Sequence, residues 1–282
     1  MKCLITLSLL LLPVLAHADD SRWAYDDQET LHQSFRVAAG DNVSKLLVDQ
    51  MNGFIHVTGG SGSEIQVTVS RRTRAESKTA LADAKKAVTF DMTQQGNTVK
   101  LYEDGPFRSS DGGIHSRGDD YYGYSVVFDT EIQVPSGATL DLRTLNSAIE
   151  VKNSSGDFNV RTANGHVTME EIGGTGSAET SNGAVKVAFS RNPTRPSSFH
   201  TRNGAIDLYF HSDPDADLDL QTMNGAMYSD FDVTTVPATM SGSLGNRFEY
   251  HSGRSVKVRA GKGGPELSVH TMNGSIRLHS KA

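Results

Sequence analysis

The sequence holds one cysteine in 282 residues, Cys3, and it lies ahead of an apolar run that extends from Leu4 to Leu15. A Lys near the start, that run, and the Ala16-His17-Ala18 end together predict a secretory signal peptide over residues 1–18, cut after Ala18. About twelve apolar residues rising ~1.5 Å each cannot cross a hydrocarbon core of ~30 Å, which excludes an uncleaved anchor. The mature chain then has no cysteine, so disulfides and thiolate chemistry are excluded there. No later segment approaches the ~18 apolar residues of a membrane span, and the mature form is expected to be exported, periplasmic or secreted, with no span of its own.

A basic surplus is missing as well. The net charge is −6, and loss of Lys2 with the signal peptide leaves 26 of the 27 basic residues against 33 acidic ones, a net of −7. No basic run exceeds a pair, which excludes the electrostatic footprint of a nucleic-acid binder. Long amphipathic stretches are scarce too: the 37% hydrophobic residues are spread among 27 glycines, a pattern of many short strands and turns.

What the chain does have is alternation. Residues 19–34 are acidic and follow neither helical nor strand period, so they read as a flexible acidic tail with Trp23 and Tyr25 as its only sticky groups. From Phe35 onward, short runs of one buried face alternate with polar residues. One helix is predicted over Glu76–Val88, with Ala80, Leu81, Ala84 and Val88 on one face, placed to cover the end or edge of a sheet. A strand pair is expected around Gly96-Asn97. Residues 103–125 are rich in Gly, Ser and Asp and read as a long surface loop inside a β-repeat domain spanning 35–282.

The dominant signal is an octet of the form Thr, any, Asn, Gly, any, aliphatic. Its Asn-Gly pairs are Asn164-Gly165, Asn182-Gly183, Asn203-Gly204, Asn224-Gly225 and Asn273-Gly274, with an earlier version at Asn52-Gly53. A variant at Thr144 puts Ser147 in the Gly place; from its Asn146 onward the steps are 18, 18, 21, 21 and 49 residues. A period near 20 means stacked supersecondary units, each burying its face against its neighbours. The last interval holds a degenerate copy or an insertion. Gly and Asn tolerate positive φ, so each pair predicts a tight corner or type I′ turn between two strands. The fold class is therefore all-β: a β-solenoid of ~20-residue repeats with one short helix, or alternatively an antiparallel meander of Asn-Gly hairpins. Near-identity of the octets favours coils whose equivalent positions touch, with the Asn side chains forming a ladder. Ser147 marks a corner of different shape or a boundary.

The order of signal peptide, alternating strand with an Asn-Gly corner, Ala/Lys-rich helix, a strand ending in Val134-Pro135-Ser136-Gly137, and Asn-Gly-x-Ile/Val repeats resembles the bacterial domain-of-unknown-function family 4097, labelled an adhesin with β-strand repeats. The resemblance covers roughly Phe35 to the carboxyl terminus. It implies a β-solenoid envelope or secreted protein without established catalytic residues.

Candidate binding groups gather in the long loop. Arg117-Gly118-Asp119 spells an integrin-type tripeptide, a short motif that arises readily by chance in a Gly-rich loop. Asp120, Tyr121, Tyr122 and Tyr124 beside it suit a carbohydrate- or protein-contacting loop, or rings packed back on the sheet. The histidines form no zinc-hydrolase spacing, there is no Gly-x-Ser-x-Gly elbow, and no Gly-rich stretch opens a helix with a Lys. Glu150, Glu170 and Asp207 stand at outward positions but are interspersed with Lys152, Lys186 and Arg277, as on a solvated face. The expectation is thus no catalytic, cofactor or metal site. The function expected is an exported non-enzymatic adhesin or envelope scaffold contacting an envelope polysaccharide or a surface protein. A polysaccharide-active β-helix enzyme and an envelope-stress sensor or partner subunit are the alternatives.

Overall fold

The computed structural model describes residues 22–37, 44–109, 113, 121–236 and 255–280, and the chain divides into two compact units, 1–150 and 151–282. The expected signal peptide lies outside the described residues.

The first unit opens with β1 (Tyr25–Arg36), β2 (Lys45–Asn52), β3 (Ile55–Gly60) and β4 (Glu64–Ala75). Helix α1 (Lys78–Ala87) follows, then β5 (Thr89–Gln95), β6 (Thr98–Asp104), β7 (Tyr124–Pro135) and β8 (Thr139–Asn146), while β9 (Ile149–Lys152) straddles the boundary. One sheet runs β1-β4-β7-β3, with only the last pair parallel. The other runs β5-β6-β2-β8, with β5/β6 an antiparallel hairpin and the remaining pairs parallel. Leu46, Val48, Leu101 and Leu140 of the second sheet, and Ile55, Val67 and Phe128 of the first, are fully or almost fully buried. Phe90 and Phe128 meet across the sheets at 4.9 Å.

One expectation changes here. The sequence reading puts residues 19–34 in a flexible tail, yet residues 25–34 lie in β1, which pairs with β4 from Tyr25↔Ala75 to Arg36↔Glu64. A strand at a sheet edge needs no apolar face when its charges are answered. Asp26 meets Arg72 at 2.5 Å, Asp27 meets Lys85 at 2.7 Å and Glu29 meets Arg71 at 3.1 Å. The helix forms where expected, capped by the Ser77 hydroxyl, which accepts from Ala80 N at 3.0 Å. It packs on β4 and β7, and the buried Arg71 of β4 donates to the Ala84 carbonyl at 3.1 Å.

The second unit is built of strand pairs joined at Asn-Gly corners. They are β10 (Phe158–Asn164) with β11 (Val167–Ile172), β12 (Gly176–Asn182) with β13 (Val185–Phe189), and β14 (Ser197–Asn203) with β15 (Ile206–Phe210). Then come β16 (Ala216–Asn224) with β17 (Met227–Ser229), the excursion β18 (Val233–Thr235) and β19 (Ser255–Ala260), and finally β20 (Glu266–Asn273) with β21 (Ile276–Ser280). Within each coil the strand before the corner lies in one sheet and the strand after it in the other. The corners therefore close no hairpins, and the antiparallel meander is overturned for these residues.

Neighbouring coils pair in parallel and in register, Asn164↔Asn182, Asn182↔Asn203, Asn203↔Asn273 and Asn273↔Asn224. The order in space departs from the order in sequence: β20 lies between β14 and β16, and β21 between β15 and β17. The last coil of the chain is intercalated between the third and fourth. This is where the 49-residue interval goes, with β19 pairing antiparallel on the far side of β16 before the chain crosses to β20. Asp215 holds that crossing, its carboxylate accepting from Lys262 N at 2.7 Å. Inside, Phe189 stacks on Phe210 at 5.6 Å and meets Phe199 of the facing sheet edge-on at 6.0 Å.

Candidate functional site

The repeated octet builds one recurring corner in the second unit. Each Asn side chain donates to the Asn carbonyl oxygen of the preceding coil in the stack: Asn182 to Asn164 at 2.8 Å, Asn203 to Asn182 at 2.8 Å, Asn273 to Asn203 at 2.7 Å and Asn224 to Asn273 at 2.7 Å. Each Thr hydroxyl donates to the Gly carbonyl of that same neighbour, as Thr180 does to Gly165 at 2.9 Å and Thr271 to Gly204 at 3.0 Å. Thr180, Thr201, Thr222 and Thr271 are accordingly buried. The glycine is explained by close approach rather than by the positive φ of a type I′ turn. A Cβ on Gly183, Gly204, Gly225 or Gly274 would overlap the carbonyl oxygen of the glycine stacked beneath it.

The first unit makes a related corner with different parts. Asn52 and Asn146 stack, Asn146 donating at 3.1 Å, but Gln50 replaces Thr. Its buried amide donates to the Gly53 carbonyl at 2.6 Å and to the Phe128 carbonyl at 3.1 Å, and its own oxygen accepts from Thr130. Gly53 has φ +106°, so here backbone conformation itself requires glycine. The Gly53 carbonyl accepts from Gln50 here, and Thr144 donates instead to the Met51 carbonyl at 3.4 Å.

Glu103 lies beside this corner, on the strand next to β2. Its carboxylate accepts from the backbone N–H of Met51 at 2.5 Å and of Asn52 at 3.4 Å, and it is only 1% exposed. Burial pushes its carboxyl up to about 7, against the two N–H bonds and the Arg108 charge that pull it down. A carboxyl raised in the folded state stabilises the protein below the unfolded value. That contribution is lost as pH rises through the folded one, here between about 4.5 and 7. Glu103→Gln is expected to remove this loss and to raise stability at pH 8 by roughly 3 kcal/mol while changing little at pH 4.5. Urea unfolding at the two pH values measures it; a gain equal at both would mean that the carboxyl does not titrate there.

Of the expected loop residues, Arg117, Asp119 and Asp120 lie outside the described residues. Tyr121, Tyr122 and Tyr124 are brought together at the start of β7. Tyr122 and Tyr124 stack with ring centroids 5.6 Å apart. The Tyr121 hydroxyl donates to the Glu76 carboxylate, and Arg22 Nε donates to both groups at 3.0 Å while its guanidinium lies 4.2 Å over the Tyr121 ring. These two bonds, Tyr121 first, hold the Glu76 carboxyl below its ordinary value. The other arm of the loop is pinned by Arg108, which donates to the Glu103 carbonyl and to the Asp49 carboxylate, both at 2.9 Å. Tyr121 remains 55% exposed and Tyr122 40%, enough ring surface for a partner.

Three of the outward carboxylates pair with cations, and Asp207 and Asp230 also flank His279, at 3.5 and 3.0 Å from its two ring nitrogens. Glu170 pairs with Lys152 at 3.4 Å, Glu179 with Arg161 at 3.6 Å, and Asp207 with Arg277 at 3.3 Å. His200 and His270 of adjacent coils stack at 4.9 Å, and burial, then the neighbouring imidazole, hold His200 below the usual histidine range. Among the described residues no group of three or more His, Cys, Asp or Glu side chains gathers in a metal-holding arrangement. Gln50 and Glu103 were not singled out from sequence. The only available signal was Gln at the Thr place of the first octet, and nothing in a β-strand pattern marks a carboxylate destined for the interior.

No family model matches the chain, and no curated protein matches it. Solved structures similar to it include a putative cell adhesion protein from Clostridium sporogenes, 11% identical over 91% of this chain and 100% of that one, with a TM-score of 0.37. A putative adhesin from Bacteroides fragilis is 9% identical over 90% and 97%, with a TM-score of 0.38. A putative lipid binding protein from Parabacteroides distasonis is 10% identical over 90% and 97%, with a TM-score of 0.30. Likeness at this level carries no argument, and function rests on the residues themselves.

Proposed function

We propose that this chain is an exported, non-enzymatic β-solenoid protein, of the kind found in domain-of-unknown-function family 4097, that acts by binding at the cell envelope as an adhesin or scaffold. The observation that carries this reading is the in-register stack of Asn-Gly corners. Every equivalent residue recurs at the strand spacing of ~4.8 Å, which turns each outward side chain into a row and suits multivalent weak contact. Glu170, Glu179 and Asp207 are each engaged by a cation of a neighbouring strand pair, which supports a solvated, ion-paired face. Tyr121, Tyr122 and Tyr124, with Arg117, Asp119 and Asp120, form the contact loop in this reading. Its partner is a surface protein or an envelope polysaccharide.

The test uses residues 19–282, the chain left after removal of the signal peptide, with immobilised envelope polysaccharides and surface extracts. Saturable binding with the ligand recovered unchanged is expected, weakened at least tenfold by the double substitution Tyr121→Ser and Tyr122→Ser if the loop makes the contact. Ligand recovered shortened would replace this reading with a polysaccharide-active enzyme. No binding to any of them would leave the scaffold or partner-subunit role.

A further inference from the structure

A sheet edge carries a row of backbone N–H and C=O groups with no strand to pair with, and a chain that stays alone blunts each such edge. Among the described residues four strands stand at sheet edges, β1 and β17 in one sheet, β18 and β5 in the other. Three of them are blunted. β1 carries Asp26, Asp27 and Glu29, held in ion pairs with Arg72, Lys85 and Arg71. β17 and β18 are three residues long each. β5 has neither protection. It runs for seven residues, with Asp91 its one charge and neither proline nor glycine, and it pairs with β6 without a break from Thr89↔Asp104 to Gln95↔Thr98.

The core is also unfinished at this edge. Val99 and Leu101 of β6 are fully buried, whereas Phe90 and Met92, on the same face of β5, are only half-buried. Gln94, the third residue of that face, closes one end by donating to the Arg36 carbonyl at 2.7 Å. The opposite face bears Thr89, Asp91, Thr93 and Gln95, all exposed. A further strand laid on β5 would take up its free backbone groups and cover the two apolar side chains.

The order of residues in β5 restricts which strand fits. An added strand must keep inward residues opposite inward ones, because side chains alternate between the faces. A second β5, laid antiparallel over the full length, does so. Thr89 then stands opposite Gln95, Phe90 opposite Gln94, Asp91 opposite Thr93, and Met92 opposite Met92 on a two-fold axis. No charge meets its like, the two Met92 side chains meet on the core side, and Thr and Gln meet outside as hydrogen-bonding partners.

We propose that β5 is an interface between two copies of this chain, which join edge to edge and antiparallel about Met92 as a symmetric dimer. Such a contact closes on itself, since each copy contributes the same strand and none is left over. The inference does not depend on the binding role proposed above. It adds to that role, because a dimer carries two tyrosine clusters and two simultaneous contacts raise avidity.

The experiment is sedimentation equilibrium of residues 19–282 from about 1 μM to 1 mM, with hydrogen exchange of the β5 amides followed over the same range. One strand pair is a small interface, and a Kd on the order of 100 μM is expected. Protection of the β5 amides should rise with the dimer. Thr93→Glu sets a carboxylate opposite Asp91 twice in the pair and should weaken the dimer about fivefold. Thr93 is exposed, so the melting temperature of the dilute monomer should not change. Adding Asp91→Lys to that variant makes both contacts attractive and should restore the dimer. Thr235→Glu, on the β18 edge, adds the same charge elsewhere and should change nothing. A dimer indifferent to Thr93→Glu, or not restored by the second substitution, forms through another surface and overturns the proposal. A monomer at every concentration overturns it as well, and leaves β5 to an extended segment of a different protein.

Discussion

Removal of residues 265–282 is expected to abolish cooperative unfolding of the second unit rather than to fray one end of it. The deleted segment carries β20 and β21, whose Leu267, Val269, Ile276 and Leu278 are at most 1% exposed. Four buried aliphatic side chains at ~1.5–3 kcal/mol each amount to roughly 6–12 kcal/mol, comparable with the whole ~5–15 kcal/mol that stabilises a typical domain. The loss is larger than for a terminal repeat because β20 is bonded on both sides, to β14 and to β16, and β21 to β15 and β17. Circular dichroism melting and hydrogen exchange of the truncated chain measure it. A truncated protein that retained one sharp transition and full protection of β16 would mean that the fourth coil had closed directly onto the third, and would overturn the expectation.

Gly183→Ala is expected to destabilise by about 3 kcal/mol or more, although alanine is the smallest change available. The added Cβ would overlap the Gly165 carbonyl, a backbone atom fixed by its own stack, with no flexible side chain to yield. Insertion of volume into fitted structure costs ~1–3 kcal/mol and more where nothing relaxes. Gly137→Ala is the control: its Cβ would meet nothing within 4 Å, and its φ is ordinary. It should be neutral, or stabilising by ~0.4–1 kcal/mol through the unfolded chain. Denaturant midpoints of the two variants decide between close approach and general loss of glycine flexibility. Equal effects would favour the latter.

Much of this architecture was legible in the sequence. Thr162, Val160, Val167 and Met169 alternate about Asn164-Gly165 as strands about a corner must, and all four are buried. The inter-coil register was also readable, because near-identical octets gain most when equal positions touch. Their likeness is what hid the order of the coils. Any octet stacks acceptably on any other, so nothing local tells β20 to enter between β14 and β16. The strand β1 was missed because its stabilisation comes from Arg71, Arg72 and Lys85 on other elements, which an acidic stretch read alone does not reveal. The tyrosine cluster was readable as a set of residue types, but its clasp with Arg22 and Glu76 joins residues up to 99 positions apart.

The intercalated coil also fixes an order of events during synthesis. The ribosome makes β16 and β17 well before the strand pair that separates them from β14 and β15, so the middle of the second unit is the last part of it to exist. Its final stacking waits for the carboxyl-terminal residues, and closing contacts between strands so distant in the chain is slow. While the polypeptide is still emerging, that unit is held short of its native state by topology alone.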